Sequence, residues 1–242
     1  MLVSLRDKIV IVVGASSGIG RAVARLFAAE GARVMAAARR ESRLLELRDE
    51  SLKAGHSLEM HVCDAAQPAE MDRLVQHTEQ AFGGVDFLIY AAGMNTPDRA
   101  MARLKADIWD KQIAVNLNGA YYATRAVLPS MRQARSGYLI YVSSISGLVP
   151  DISGAAYQAS KRGVLGMAHA VRVEEKENGI RTCVICPGLV DTELLNQRPV
   201  KPSPGLLRSA LQAEDVAETI LHVAKLPTHA VIPELQLLPT FQ

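Results

Sequence analysis

The sequence predicts the α/β class, a single domain whose mostly or wholly parallel, seven-stranded sheet is covered by helices. Three observations predict it. Short β-branched runs alternate with longer amphipathic segments along the whole chain. The first run, Lys8 to Val13, is apolar on both faces, as a buried parallel strand should be. A glycine-rich turn, Gly14-Ala15-Ser16-Ser17-Gly18-Ile19-Gly20, joins that run to the first amphipathic segment, the arrangement found in doubly wound sheets of the Rossmann kind.

The elements follow in order. After Lys8 to Val13, strands are predicted at Arg33 to Ala37, Leu58 to Val62, Phe87 to Tyr90, Tyr138 to Val142, Arg181 to Ile185 and Val231 to Leu237. Between them, helices are predicted at about Ile19 to Glu30, Arg43 to Ala54, Ala69 to Phe82, Asp107 to Arg132, Tyr157 to Asn178 and Glu214 to Ala224. Pro129 lies inside the long fourth helix and should kink it or end its regular part. No linker, repeat or low-complexity segment divides residues 1–242. The least regular region, Pro187 to Arg208, contains Pro199, Pro202, Pro204 and Gly205 and reads as a substrate loop or lid at about 188–211. An ordinary surface crossover is the other reading of it.

Composition narrows the function. A formal net charge of +2 compels neither a nucleic-acid nor an anionic-membrane partner, so neither is expected. No apolar run approaches the ~20 residues of a membrane-spanning helix, and no segment has the make-up of a secretory signal. The expectation is a soluble, cytoplasmic protein. The three cysteines, Cys63, Cys183 and Cys186, give no disulfide framework. Cys183 and Cys186 fall three apart on a predicted strand, so they should face opposite sides and be small core residues. The histidines show no metal-ligand spacing, and no metal is expected.

The turn Gly14 to Gly20 lets a pyrophosphate approach the backbone, and the helix start beyond it offers free N–H groups and partial positive charge. Its spacing is G-x-x-x-G-x-G rather than the commoner G-x-G-x-x-G. At the end of the second strand an acidic residue would favour NAD. This chain has Ala38-Arg39-Arg40 instead. Two guanidiniums there suit a 2′-phosphate, so NADP(H) is the expected cofactor. Asp64, after the third strand, is placed either to accept a bond from an adenine amino group or to cap the next turn. Ala91-Ala92-Gly93 follows the fourth strand with side chains small enough to let a cofactor lie against the backbone.

Tyr157 and Lys161 are four apart and share one helix face. A phenol has an ordinary pKa of about 10. A neighbouring ammonium should pull it toward the working range of a general acid/base. Ser144, thirteen residues before the tyrosine, is placed to polarise a substrate carbonyl. Ser143 competes for that role, and spacing favours Ser144.

Together these motifs resemble the short-chain dehydrogenase/reductase family in its compact form, over nearly the whole chain. Gly14, Gly18 and Gly20 match its glycine motif, and Asn116 in Val115-Asn116-Leu117 matches its helix asparagine. Ser144 and Tyr157-x-x-x-Lys161 match its catalytic set, and Pro187-Gly188 its post-strand turn. Val13 departs from the family's usual Thr, and Tyr90-Ala91-Ala92-Gly93 from its usual Asn-Asn-Ala-Gly. The resemblance implies that Tyr157 is the acid in reduction and the base in oxidation, with Lys161 lowering its pKa and holding the nicotinamide ribose. It implies that Ser144 binds the carbonyl oxygen and that Asn116 holds a water linking Lys161 to solvent. It extends the cofactor contacts to Ser16, Ser17, Ile19, Pro187, Gly188, Val190 and Thr192. It also implies a homodimer or homotetramer pairing through the two long central helices.

Toward the C-terminus, Thr192 to Arg198 and the ending from Leu226-Pro227-Thr228-His229 to Leu238-Pro239 resemble the branch containing serine and 3-hydroxy acid dehydrogenases. That likeness implies an NADP-dependent oxidoreductase for a small hydroxy acid or related carbonyl, with Arg198 meeting a substrate carboxylate. An exposed loop arginine is the alternative for Arg198, and Lys201 and Arg208 are its rivals. A 3-oxoacyl-thioester reductase and a non-catalytic NADP-binding regulator are the competing functions.

Overall fold

The structure, a computed structural model, describes residues 2–241. Seven strands form one sheet: β1 (Ile9–Val13), β2 (Arg33–Ala38), β3 (Leu58–Val62), β4 (Phe87–Tyr90), β5 (Gly137–Val142), β6 (Ile180–Pro187) and β9 (Glu234–Leu237). Their order is β3-β2-β1-β4-β5-β6-β9, and every pairing is parallel. The order reverses between β1 and β4. Their carboxyl ends therefore part at a crevice where such sheets bind ligands. The expected fold class is the observed one.

Each strand turns alternate residues to opposite faces, so two separate cores form. Val10 and Val12 join Val23 and Phe27 of α1 (Gly18–Ala29), Leu44 and Leu47 of α2 (Glu41–Lys53), and Ile220 of α8 (Ala213–Ala224). Ile11 and Val13 join Met71 of α3 (Pro68–Phe82), Val127 of α5 (Gly119–Ala134) and Val164 of α6 (Ala155–Glu175). Each such side chain, fully buried, contributes about 1.5–3 kcal/mol. Cys183 and Cys186 fall in different cores, as their spacing on β6 requires, and both thiols are pushed up to about 12 by burial.

Four features differ from the sequence reading. The last strand starts at Glu234 rather than Val231, because Pro233 has no N–H for the ladder. The fourth helix is two helices, α4 (Ala106–Ile113) and α5, joined by a π turn at Ala114–Asn118. Pro129 does not end α5, which runs on to Ala134. Val127 and Met131, fully buried on either side of it, hold the helix in register. Finally, the 188–211 loop is ordered at both ends. β7 (Val190–Asp191) pairs with β8 (Leu211–Gln212), a 3₁₀ turn spans Glu193–Gln197, and a short helix, α7 (Pro204–Arg208), follows Ser203. Among the described residues no helix is long and apolar enough to cross a membrane, and no group of three or more His, Cys, Asp or Glu is placed to hold a metal.

Candidate active site

One cleft of about 330 Å³ runs over the carboxyl ends of the parallel strands. Every residue expected to touch cofactor or take part in the chemistry lines it, except Gly20 and Asn116, which are buried. At its floor, Gly14 has φ +93°, and a Cβ there would sit 2.6 Å from Ala92 N. A Cβ on Gly20 would overlap the Gly14 carbonyl. The turn therefore closes only around bare backbone. The first turn of α1 has no side-chain cap at Ser17 and no acidic residue, so its N–H groups and positive dipole end face the cleft. That donor set fits a pyrophosphate.

At the end of β2 the two arginines differ. Arg40 is held: Nη2 donates to Ser17 Oγ at 2.6 Å and Ser16 Oγ at 3.1 Å, and Nη1 donates to Glu193 Oε2 at 2.8 Å. Arg43 lies 3.6 Å from the other oxygen of Glu193. The hydrogen bond from Arg40 holds the Glu193 carboxyl below the usual carboxylate range. Arg39 is exposed at the cleft edge, and its guanidinium has no hydrogen bond or ion pair among the described residues. Arg39 and Arg40 could hold an anion at this end of the cleft, and in the free chain the Glu193 carboxylate occupies Arg40. Asp64 caps its own turn, its Oδ1 accepting from Ala66 N at 3.0 Å, while still lining the cleft.

At the other end of the cleft lies the Ser144, Tyr157 and Lys161 cluster. Tyr157 is buried on α6, and its ring centroid is 5.7 Å from Lys161 Nζ. Lys161 turns its ammonium to the carbonyl of Val142, 2.9 Å away. Burial lowers the Lys161 value to about 8. Burial also pushes the Tyr157 phenol up to about 12, opposed by its hydrogen bond with Ser144 and then by Arg99 and Arg198. The expected downward pull from Lys161 is therefore not what governs this phenol in the free chain. Desolvation governs it, because the whole helix face is enclosed. Ser143 is occupied elsewhere, donating to the Lys161 carbonyl at 3.0 Å, which leaves Ser144 beside the tyrosine.

Asn116 sits in the π turn. Its Oδ1 accepts from Met94 N at 2.8 Å, and its Nδ2 donates to Met94 O and Ser160 Oγ, each at 3.0 Å. It ties the loop after β4 to the helix that carries Tyr157. Tyr90, the departure noted in the sequence, explains part of this geometry. Its Oη donates to Val115 O at 2.6 Å, taking up a carbonyl of the π turn.

Of the three basic candidates on the late loop, Arg198 lines the cleft and Lys201 and Arg208 do not. Residues that the sequence did not single out complete this end. Arg99 is buried, and its charge acts on Tyr157. Asp151 accepts from Ser146 Oγ at 2.5 Å and from Ser153 N at 2.8 Å. Arg99 and Glu193 meet the site through distant segments, Gln197 and Arg40 respectively, whereas Asp151 is bound by its near neighbours Ser146 and Ser153 and carries no motif of its own.

Residues 8–202 match the pattern of the family described as short chain dehydrogenase. An oxidoreductase of Staphylococcus aureus is 34% identical over 235 residues, which is 97% of this chain and 98% of that protein. Among solved structures, the closed form of a serine dehydrogenase complexed with NADP+ is 32% identical with a TM-score of 0.88, covering 97% of this chain and 96% of its own. A single-residue variant of actinorhodin polyketide ketoreductase with NADPH is 27% identical with a TM-score of 0.89, covering 99% and 98%.

Proposed function

The chain belongs to the short-chain dehydrogenase family, and from that membership we propose that it is an NADP-dependent oxidoreductase interconverting a carbonyl and an alcohol on a small hydroxy acid or related carbonyl compound. The observation that carries this reading is the convergence of Ser144, Tyr157 and Lys161 at one end of a cleft whose other end holds Arg39 and Arg40. The serine dehydrogenase and ketoreductase structures, both solved with NADP cofactors, support it.

When bound, the nicotinamide supplies or accepts the hydride. The chain does the rest. Ser144 and Tyr157 hydrogen-bond the carbonyl oxygen, where negative charge grows as the carbon is reduced. Tyr157, its phenol pushed up to about 12, is protonated at neutral pH and delivers its proton to that oxygen. Lys161, fixed on the Val142 carbonyl, places positive charge beside the reacting end. Asn116 keeps the loop after β4 and α6 in register. The proposal includes a homo-oligomer pairing through α5 and α6, which expose Tyr121 and Val173. A monomeric mass by light scattering at micromolar concentration would remove that part.

The test is turnover of 3-oxo acids and of 3-oxoacyl thioesters with NADPH, each repeated with NADH. Turnover of the small acids is expected. Thioester turnover alone would move the protein to the thioester reductases, and tight NADP binding without turnover of either would make it a regulator. Cofactor choice has its own test. Arg40→Ala should lower kcat/KM for NADPH about tenfold or more, and far less for NADH. Glu193→Gln should act oppositely, tightening NADP several-fold (roughly) by removing a competing carboxylate from an exposed ion pair. A preference for NADH in the unaltered protein would refute the reading of Arg39 and Arg40.

The pH profile follows from the same groups. In reduction Tyr157 must be protonated and remains so across the working range. Lys161 loses its charge as pH rises through about 8. The kcat/KM for reduction should therefore fall above about pH 8, and Lys161→Arg, if it retains turnover, should move that limb upward. A profile flat to about pH 10, the ordinary range of a lysine, would contradict the assignment of the limb to Lys161.

A further inference from the structure

We propose that Arg99 and Arg198 together form a two-armed seat for a carboxylate at the substrate end of the cleft, so that the compound reduced or oxidised here is an anion. The inference rests on the oxidoreductase reading above and adds the residue that selects the substrate.

Arg99 is fixed from three sides. Its Nε donates to Thr96 O at 3.0 Å, and its Nη2 donates to Gln197 O on the late loop. Its backbone packs against Gly154, where φ is +93° and a Cβ would sit 2.6 Å from Arg99 O. Asn95 Nδ2 reinforces this contact by donating to Ser153 O at 3.2 Å. Gly154 immediately precedes α6, three residues before Tyr157, so Arg99 is held in register with the reacting hydroxyl. Arg198 lines the same cleft from the end of the 3₁₀ turn Glu193–Gln197, directly after the Gln197 whose carbonyl Arg99 holds.

Two guanidiniums so placed repel each other, and burial already disfavours the charge of Arg99. Ordinarily a carboxylate of the protein pairs with such groups. Here neither arginine forms an ion pair among the described residues, and Asp151 acts on Arg99 only through its field. Arg198 is half-buried, yet its guanidinium has no hydrogen bond or ion pair among the described residues. The one acid on this wall, Asp151, is engaged by Ser146 and Ser153 and forms no ion pair with either arginine. Arg99 and Arg198 line the same cleft as Tyr157, and the planar fork of a guanidinium matches the two-oxygen geometry of a carboxylate. A neutral ketone would leave Arg198 with no opposite charge and Arg99 with only the field of Asp151. The arrangement also ties recognition to the loop, because Arg99 holds the Gln197 carbonyl next to Arg198.

The test compares 3-oxobutanoate with its methyl ester, using NADPH, in the unaltered protein, Arg198→Ala and Arg99→Lys. The unaltered protein should prefer the acid by about tenfold to a hundredfold in kcat/KM. Arg198→Ala should remove that preference by raising KM for the acid far more than for the ester, and Arg99→Lys should weaken the acid more than the ester. Equal use of acid and ester by the unaltered protein, or equal loss of both in Arg198→Ala, overturns the seat and leaves the reaction standing. A second measurement covers the case of no turnover: malonate added to the NADP-saturated protein, followed by thermal shift. Saturable stabilisation that Arg198→Ala abolishes keeps the seat and rejects the reaction, whereas no stabilisation by malonate overturns the seat.

Discussion

Tyr157→Phe is expected to lower turnover by about 10³-fold or more, within the range assigned to a positioned general acid. The fold should be unaffected. Tyr157 is buried, and the ring that packs there is the same in phenylalanine. The hydroxyl lost is one whose surroundings already resist its ionisation. Its hydrogen bond with Ser144 is the main protein contact removed, so the melting temperature should move by only a few degrees (roughly). On the proposed reading the glycine turn, Arg39, Arg40 and Lys161 hold the cofactor, so NADP affinity should be largely retained. The measurement is stopped-flow reduction beside a fluorescence titration of the cofactor. Loss of chemistry with intact binding is the expected pair. Turnover within about tenfold of the unaltered protein, below the range of a general acid, would remove Tyr157 as the proton donor. Loss of binding would show that the substitution had disturbed the cleft instead.

Gly119→Ala should have the largest effect on stability, about 3 kcal/mol. Gly119 is the first residue of α5 after the π turn, and a Cβ there would overlap Tyr90 Oη and lie 2.8 Å from Ala65 O. The hydroxyl cannot simply swing aside, because it donates to Val115 O within the same turn. An added methyl forces either the loss of that hydrogen bond or a shift of backbone. For a domain of this size the melting temperature should drop by roughly 10 °C. Turnover should fall as well, since the turn also carries Asn116 and its bonds to Met94 and Ser160. Tyr90→Phe alone should cost about 1 kcal/mol through the unpaired carbonyl. In combination it should recover part of the Gly119→Ala loss by removing the clashing oxygen. Strictly additive losses in the double variant would show that Ala65, not Tyr90, sets the limit.

The Tyr90, Val115 and Gly119 arrangement marks the boundary of what can be read from a chain. In the sequence Tyr90 is a departure from a familiar pattern with no assigned purpose. The π turn has no specific signal, because the weak helix formers Val115, Asn116 and Asn118 loosen a helix without specifying how its turn is wound. Only the approach of β4 to the start of α5 gives the tyrosine a carbonyl to hold and the glycine a reason to be bare. Pro129 is the opposite case. Local stereochemistry predicts a kink or an end to the regular helix, and the helix runs on to Ala134 with Val127 and Met131 fully buried on either side.

By itself the sequence determined the order of strands and helices, the parallel class of the sheet, the glycine turn, and the sharing of one helix face by Tyr157 and Lys161. All of these follow from spacing over a few residues, where backbone geometry alone sets which side chains share a face. The tertiary structure decided what those residues meet. Glu193 reaches Arg40 across 153 positions. Arg99 and Arg198, from segments far apart in the chain, line one cleft with Tyr157 and act on its phenol. Neither meeting has a local signal, because each depends on where the chain returns after several crossovers. The protonation of the site belongs to the same category. Lys161 next to Tyr157 suggests a lowered phenol, yet enclosure raises it to about 12 and lowers the lysine to about 8. Desolvation depends on how completely the folded chain surrounds a group, and that is settled only when the sheet, α6 and the late loop come together.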